Sequence, residues 1–146
     1  MTTAYSDVYD LFLVQIKDWK IDALYAASVP NFSTYLKGFL VLTVPKFTVF
    51  CDQSLARDDS GATFDEDLTD KNKQMLARLM IQEWLKKEVQ DIRQMNLHFN
   101  GREYKTYSEA KNLDSKQDYL IFVTEQNEQA ISDYAWNAQD FTDWNA

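Results

Sequence analysis

Residues 69–96, TDKNKQMLARLMIQEWLKKEVQDIRQMN, decide the fold. Met75, Leu76, Leu79, Met80, Ile81, Trp84, Leu85, Val89, Ile92 and Met95 recur at helical spacing and wrap more than half of a helix circumference. An arc that wide predicts a central helix packed on more than one side. Thr69 is placed as its N-cap with Asp70 in the first turn. From Asp70 to Asn96 the helix would be on the order of 40 Å long. Trp84 lies on the apolar arc and is expected in the core.

Upstream, Ser6 is expected to cap a first helix carrying Val8, Leu11, Phe12, Ile16 and Trp19 on one face. A short turn over IDALYAAS should stop near Val29, because Pro30 pushes the preceding residue out of the α region. A second helix is expected from about Ser33 to Val44, on Phe32, Tyr35, Leu36, Phe39, Leu40 and Thr43, with Pro45 ending it. KFTVFC is too short to assign, and the acidic stretch 52–67 reads as a loop, with room for one hairpin between 46 and 64.

Downstream, Asn100-Gly101 offers a turn. Thr106 and Glu109 then stand at capping-box spacing before a fourth helix. Its stripe is narrower: Ala110, Leu113, Leu120, Val123, Ile131 and Tyr134, with Gln117 and Asn127 as polar members of the seam. One side should rest on the bundle and the other face water or a neighbour. This helix is expected to fray after Tyr134. The predicted fold is all-α, a bundle of about four helices over residues 1–134, with a C-terminal docking tail at 135–146.

The totals fit one domain. The 146 residues include 3 glycines and 2 prolines, a scarcity that favours helices. The single Cys51 cannot form an intrachain disulfide. MTTAYSDVYD has no basic segment leading an apolar one, and GFLVLTV is too short to span a bilayer, so an intracellular soluble protein without membrane contact is expected. The net charge of −8 argues against nucleic-acid binding. Residues 52–70 hold seven acids against Arg57, and 71–93 hold six bases against three acids. Residues 125–146 hold Glu125, Glu128, Asp133, Asp140 and Asp143 with no base. Internal compensation accounts for such a pattern, and so does a polarised subunit whose negative part meets a neighbour's positive part.

No catalytic constellation is visible. His98 is the only histidine and falls at a helix end. Asp52 beside Cys51 opposes thiolate formation. With Gly61 at the sixth position of a calcium loop, the first ligand position falls on Ala56, which has no side-chain oxygen, so no metal site is assigned. No cofactor motif is present, and the chain is not expected to be an enzyme.

The end of the chain, SDYAWNAQDFTDWNA, is different. Trp136, Phe141 and Trp144 fall outside any helical stripe, and large aromatics left in water reduce solubility unless something covers them. They fold back on the body or are held by a partner. Trp136, Phe141 and Trp144, with Asp140, Asp143 and Tyr134, are the candidate partner-binding residues.

The run LARLMIQEWLKKEVQDIRQMNLHF, then YKTYSEAKNL and ISDY, with SVPNFSTYLKGFLVLTVPKF upstream, resembles the head–tail connector, or adaptor, proteins of tailed bacteriophages. The resemblance touches most of the chain and is firmest over 76–134. It implies a helical virion neck protein that passes through the host cytoplasm during assembly. It also implies a homo-oligomeric ring, typically a dodecamer, joining the portal protein to a head-closure or tail-completion protein. DNA would pass through such a ring, and an acidic lining would let it slide. The competing expectation is a cytoplasmic helical regulatory or adaptor module that binds a soluble protein partner.

Overall fold

The computed structural model describes residues 2–98 and 103–138; the side chains of Trp19, 95–98, 103–113 and Ala138 lie outside that description. Among the described residues the elements run β1 (Thr3–Ala4), α1 (Tyr5–Gln15), α2 (Trp19–Ala27), α3 (Val29–Thr48), β2 (Arg57–Asp58), β3 (Thr63–Phe64), α4 (Asp70–His98) and α5 (Glu103–Ala138). The fold is a small helical bundle with a three-stranded antiparallel scrap of sheet, order β1-β3-β2.

α4 is the axis. Its 29 residues span about 43 Å. α1, α3 and α5 all pack on it, as its wide apolar arc requires. Leu76, Met80 and Leu85 are fully buried, and Trp84 is 4% exposed. The Trp84 ring meets Phe12 edge-on at 6.4 Å, and its Nε1 donates to Asp18 Oδ2 at 3.0 Å. The Thr69 cap is present: its Oγ1 accepts from Asn72 N at 3.3 Å.

Three local expectations are corrected. Ser6 does not cap α1. The helix begins at Tyr5, whose N–H donates to Ala62 O at 2.9 Å, so the pairing of β1 with β3 does the work of a side-chain cap. Trp19 is not on α1, which stops at Gln15 with Ile16 extended; Trp19 starts α2, capped by Asp18 Oδ1 accepting from Lys20 N. Pro45 does not end α3, which starts at Val29 behind a Ser28 cap and continues to Thr48. The proline removes one N–H near the last turn. Staying helical carries Val44 and Phe47 into the core at 1% and 0% exposure, extending the stripe of Leu36, Phe39, Leu40 and Thr43. That burial outweighs one missing bond.

The acidic stretch folds as a β2–β3 hairpin, Arg57 opposite Phe64 and Asp58 opposite Thr63. Its turn places Ala62 at φ 54°, the left-handed region that glycine prefers. Asp59 in this turn accepts from the Tyr5 hydroxyl at 2.5 Å and from Arg57 Nε at 3.1 Å, tying the turn to α1.

α5 begins at Glu103, so Thr106 lies inside the helix rather than at its N-cap. The helix also runs on past Tyr134 to Ala138, about 54 Å in all. Val123, Asn127 and Tyr134 are buried against the bundle, with Leu120, Ala130 and Ile131 beside them; the expected seam over these residues is present. Asn127 Nδ2 donates to Arg78 O at 3.1 Å and to Gln82 Oε1 at 3.0 Å, which makes it a register pin between the two long helices.

Candidate functional site

The candidate partner-binding residues separate in space. Tyr134 is 5% exposed and belongs to the body. Its hydroxyl lies 2.7 Å from Asp52 Oδ1, 2.7 Å from Asn72 Oδ1, and accepts from Asp52 N at 2.9 Å. Asn72 is fully buried, and its Nδ2 donates to Asp52 Oδ1 at 2.9 Å and to Gln53 Oε1 at 2.6 Å. Gln53 Oε1 also accepts from Thr69 N at 2.9 Å, and its Nε2 donates to Asp67 O at 3.1 Å. One polar knot thus joins the segment after α3, the start of α4 and the end of α5. Lys71 closes it, 3.4 Å from Asp52 Oδ2 and 4.5 Å above the Tyr134 ring.

Asn72 and Tyr134 donate to the Asp52 carboxylate and hold it below the usual carboxylate range. Burial, then the hydrogen bond it donates to the Asp52 carboxylate, pushes the Tyr134 phenol above its ordinary value. Asp59 is held low chiefly by the Tyr5 hydroxyl. Burial pushes the Cys51 thiol up, which makes it a poor nucleophile at neutral pH.

Trp136, two residues beyond Tyr134, is 64% exposed. Further back along α5, Tyr119, Ile121 and Phe122 are 43%, 57% and 56% exposed. By helical phase Ile121 and Trp136 point away from the core, whereas Tyr119 and Phe122 flank it and line a hollow against α4. Asp140, Phe141, Asp143 and Trp144 lie outside the described residues, as do the Asn100-Gly101 turn and the side chain of His98.

Beside the knot runs a groove of about 350 Å³ between α4 and α5, with Lys71, Gln74, Met75 and Arg78 on one wall and Gln126, Gln129, Ala130, Asp133 and Asn137 on the other. A second hollow of about 240 Å³ continues it toward Gln15, sharing Arg78 and Gln126 and adding Ile81, Tyr119, Phe122 and Val123.

The lysines of α4 find acidic partners inside the subunit, two of them in the acidic stretch before the helix and at its first residue. Lys71 pairs with Asp52, Lys73 with Asp70, Lys86 with Glu83 and Lys87 with Asp91. Among the described residues Arg78 has no ion-pair partner.

No protein-family model, curated protein or solved structure matches this chain. Function has to be argued from its own residues. Among the described residues no group of three or more His, Cys, Asp or Glu is placed to hold a metal ion, and no helix is long and apolar enough to cross a membrane. The segment with calcium-loop spacing is the β2–β3 hairpin, where Asp58 Oδ1 is taken up by Ser60 N at 3.0 Å.

The sequence reading missed the knot and the Arg78 groove. Asn72 carried a usable signal, since it stands four residues before Leu76 on the buried arc of α4, where a polar side chain must find partners. Arg78 carried none: an exposed arginine on a helix reads as solvated until the neighbouring helix is in place.

Proposed function

We propose that this chain is a structural virion protein, a helical joint that forms a ring between the portal and the tail or head-closure complex of a tailed phage. The resemblance of 76–134 to connector proteins sets the class. The observation that carries it on this molecule is the exposure of two large apolar side chains, Ile121 and Trp136, on the side of the long terminal helix away from the core. Large side chains so placed are the residue types from which interface anchors are made. The body behind them is pinned by Asn127 and the Tyr134 knot, so α5 is a rigid arm that holds its anchors at fixed spacing.

The C-terminal sequence, with Phe141 and Trp144, is the part assigned to the portal. Most charges on α4 and the hairpin are already paired within the subunit. Ring contacts are therefore assigned to the apolar arm rather than to a simple acid-against-base match.

The test is binding to the portal protein encoded in the same genome. Trp136→Ala is expected to weaken it at least tenfold, the size of effect an anchor gives. Unchanged portal binding would remove Trp136 as an anchor. Tight 1:1 binding to a soluble host protein, with none to the portal, would favour the regulatory-module alternative.

A further inference from the structure

α3 is apolar on two sides. Leu36, Phe39, Leu40, Thr43, Val44 and Phe47 face the core. On the opposite side Gly38, Leu42, Pro45 and Val49 are exposed, Leu42 by 56% and Val49, in the helical conformation at the C-cap, by 80%. These four follow at steps of four, three and four residues, the spacing of a seam between two helices, and fall within about 60° of one another around the axis. The charged residues of α3 are Lys37 and Lys46. Both are held on the flanks by their own subunit, Lys37 Nζ donating to Asp59 O and Lys46 pairing with Glu83. We propose that this uncharged face pairs with the same face of a second copy, antiparallel, about a two-fold axis level with the Thr43–Val44 peptide.

The spacing makes the face complementary to itself, as a two-fold contact requires. With the axis at that level, Gly38 falls opposite Val49 of the second copy, and Leu42 opposite Pro45 of the second copy. Each large exposed side chain therefore meets a small or flat residue. Gly38 is a second observation pointing the same way. No atom lies within 4 Å of where its Cβ would stand, and its φ is not positive. Nothing inside the subunit uses the missing methyl group, although glycine within a helix is less stable than alanine. What the glycine permits is the close approach of another backbone from outside. Charge favours the same partner. Each copy carries −8, so two copies repel. A face without charge lets them meet without setting like charges against one another.

The contact is small. From Gly38 to Val49 the stripe is about 17 Å long, and a helix is about 10 Å wide. That footprint is well short of the roughly 800 Å² per partner of a standard interface, so the pair is a weak one, with a Kd above about 1 μM. A two-fold pair closes on itself and does not build a ring, so the contact is independent of the connector reading.

The test is analytical ultracentrifugation of the full chain from about 5 to about 500 μM, where a concentration-dependent monomer–dimer equilibrium is expected. Leu42→Asp should leave a monomer throughout, with an unchanged thermal midpoint because the side chain is exposed. Gly38→Ala should weaken association at least tenfold while raising the thermal midpoint of the dilute monomer, two effects of opposite sign that a purely internal role does not give. The direction of pairing is read with a short bis-maleimide in a Cys51→Ser background. In the antiparallel register two copies of residue 42 lie about 4–5 Å apart along the axis, and two copies of residue 34 about 28 Å apart. Leu42→Cys should therefore link between chains at least ten times faster than Thr34→Cys, on the same exposed side of α3. A chain that stays monomeric across the range would overturn the proposal. So would a dimer that survives Leu42→Asp, or equal linking rates at the two positions. Portal binding abolished by Leu42→Asp in a chain that never dimerises would give this face to the portal instead, and would also overturn it.

Discussion

Replacing Tyr134 by phenylalanine removes one oxygen and leaves the ring in place against Phe47, 5.3 Å away, and beneath Lys71. The oxygen is a hub. It accepts from Asp52 N and shares its single proton between Asp52 Oδ1 and Asn72 Oδ1. The Asp52 side chain is 43% exposed and can turn to water. Asn72, at 0% exposure, cannot. A typical hydrogen bond contributes about 1 kcal/mol net, and a buried acceptor left without a donor costs about 1–3 kcal/mol. Tyr134→Phe should therefore lower stability by about 2–3 kcal/mol, read as a shift in the urea midpoint at unchanged slope. By the usual size scaling this is a fall of roughly 5–10 °C in Tm. Tyr134→Ala also loses the ring and should cost more, in the range of about 3–5 kcal/mol seen for large aromatic truncations. A loss below about 0.5 kcal/mol for Tyr134→Phe would refute the assignment of the knot as the clamp that holds α5 to the body.

Acid should loosen the molecule through the same groups. Asp52 and Asp59 have folded-state pKa values below their ordinary ones, so their contribution is present above about pH 4 and is lost as pH falls through the folded values. Urea midpoints measured from pH 7 down to 2.5 should fall, and Asp52→Asn should flatten that fall; an identical slope in the variant would remove Asp52 from the account. Ala62, at φ 54°, should accept glycine with a change within about 1 kcal/mol, because relief of the left-handed strain offsets glycine's greater freedom when unfolded. Ala62→Val should cost more than about 1 kcal/mol by the same thermal assay, since a β-branched residue strongly disfavours that conformation.

Where periodicity was long, the sequence could be read directly. The arc on α4 and the seam on α5 both follow from spacing, because a helix buried on one side must repeat its apolar residues. The ends of helices were less legible. Ser6 and Thr106 have the chemistry of caps, yet α1 is started by a strand contact from Ala62 and α5 begins upstream at Glu103. Pro45 is a local breaker overridden by the burial of Phe47. The candidate site was legible as a set of aromatics and not as an arrangement. Tyr134 and Trp136 are two residues apart in sequence and on different sides of α5, one in the core and one at the surface. Helical phase separates them by about 200°, which becomes visible only once the helix is known to continue past Tyr134.

The most direct test of the connector assignment is a cryo-EM reconstruction of this protein mixed with the portal protein from the same genome. The account predicts a closed ring of subunits beneath the portal, with the outward side of α5 and residues 136–146 packed against another chain. A subunit that stays monomeric beside the portal, or a complex in which this end of α5 faces solvent, would contradict it.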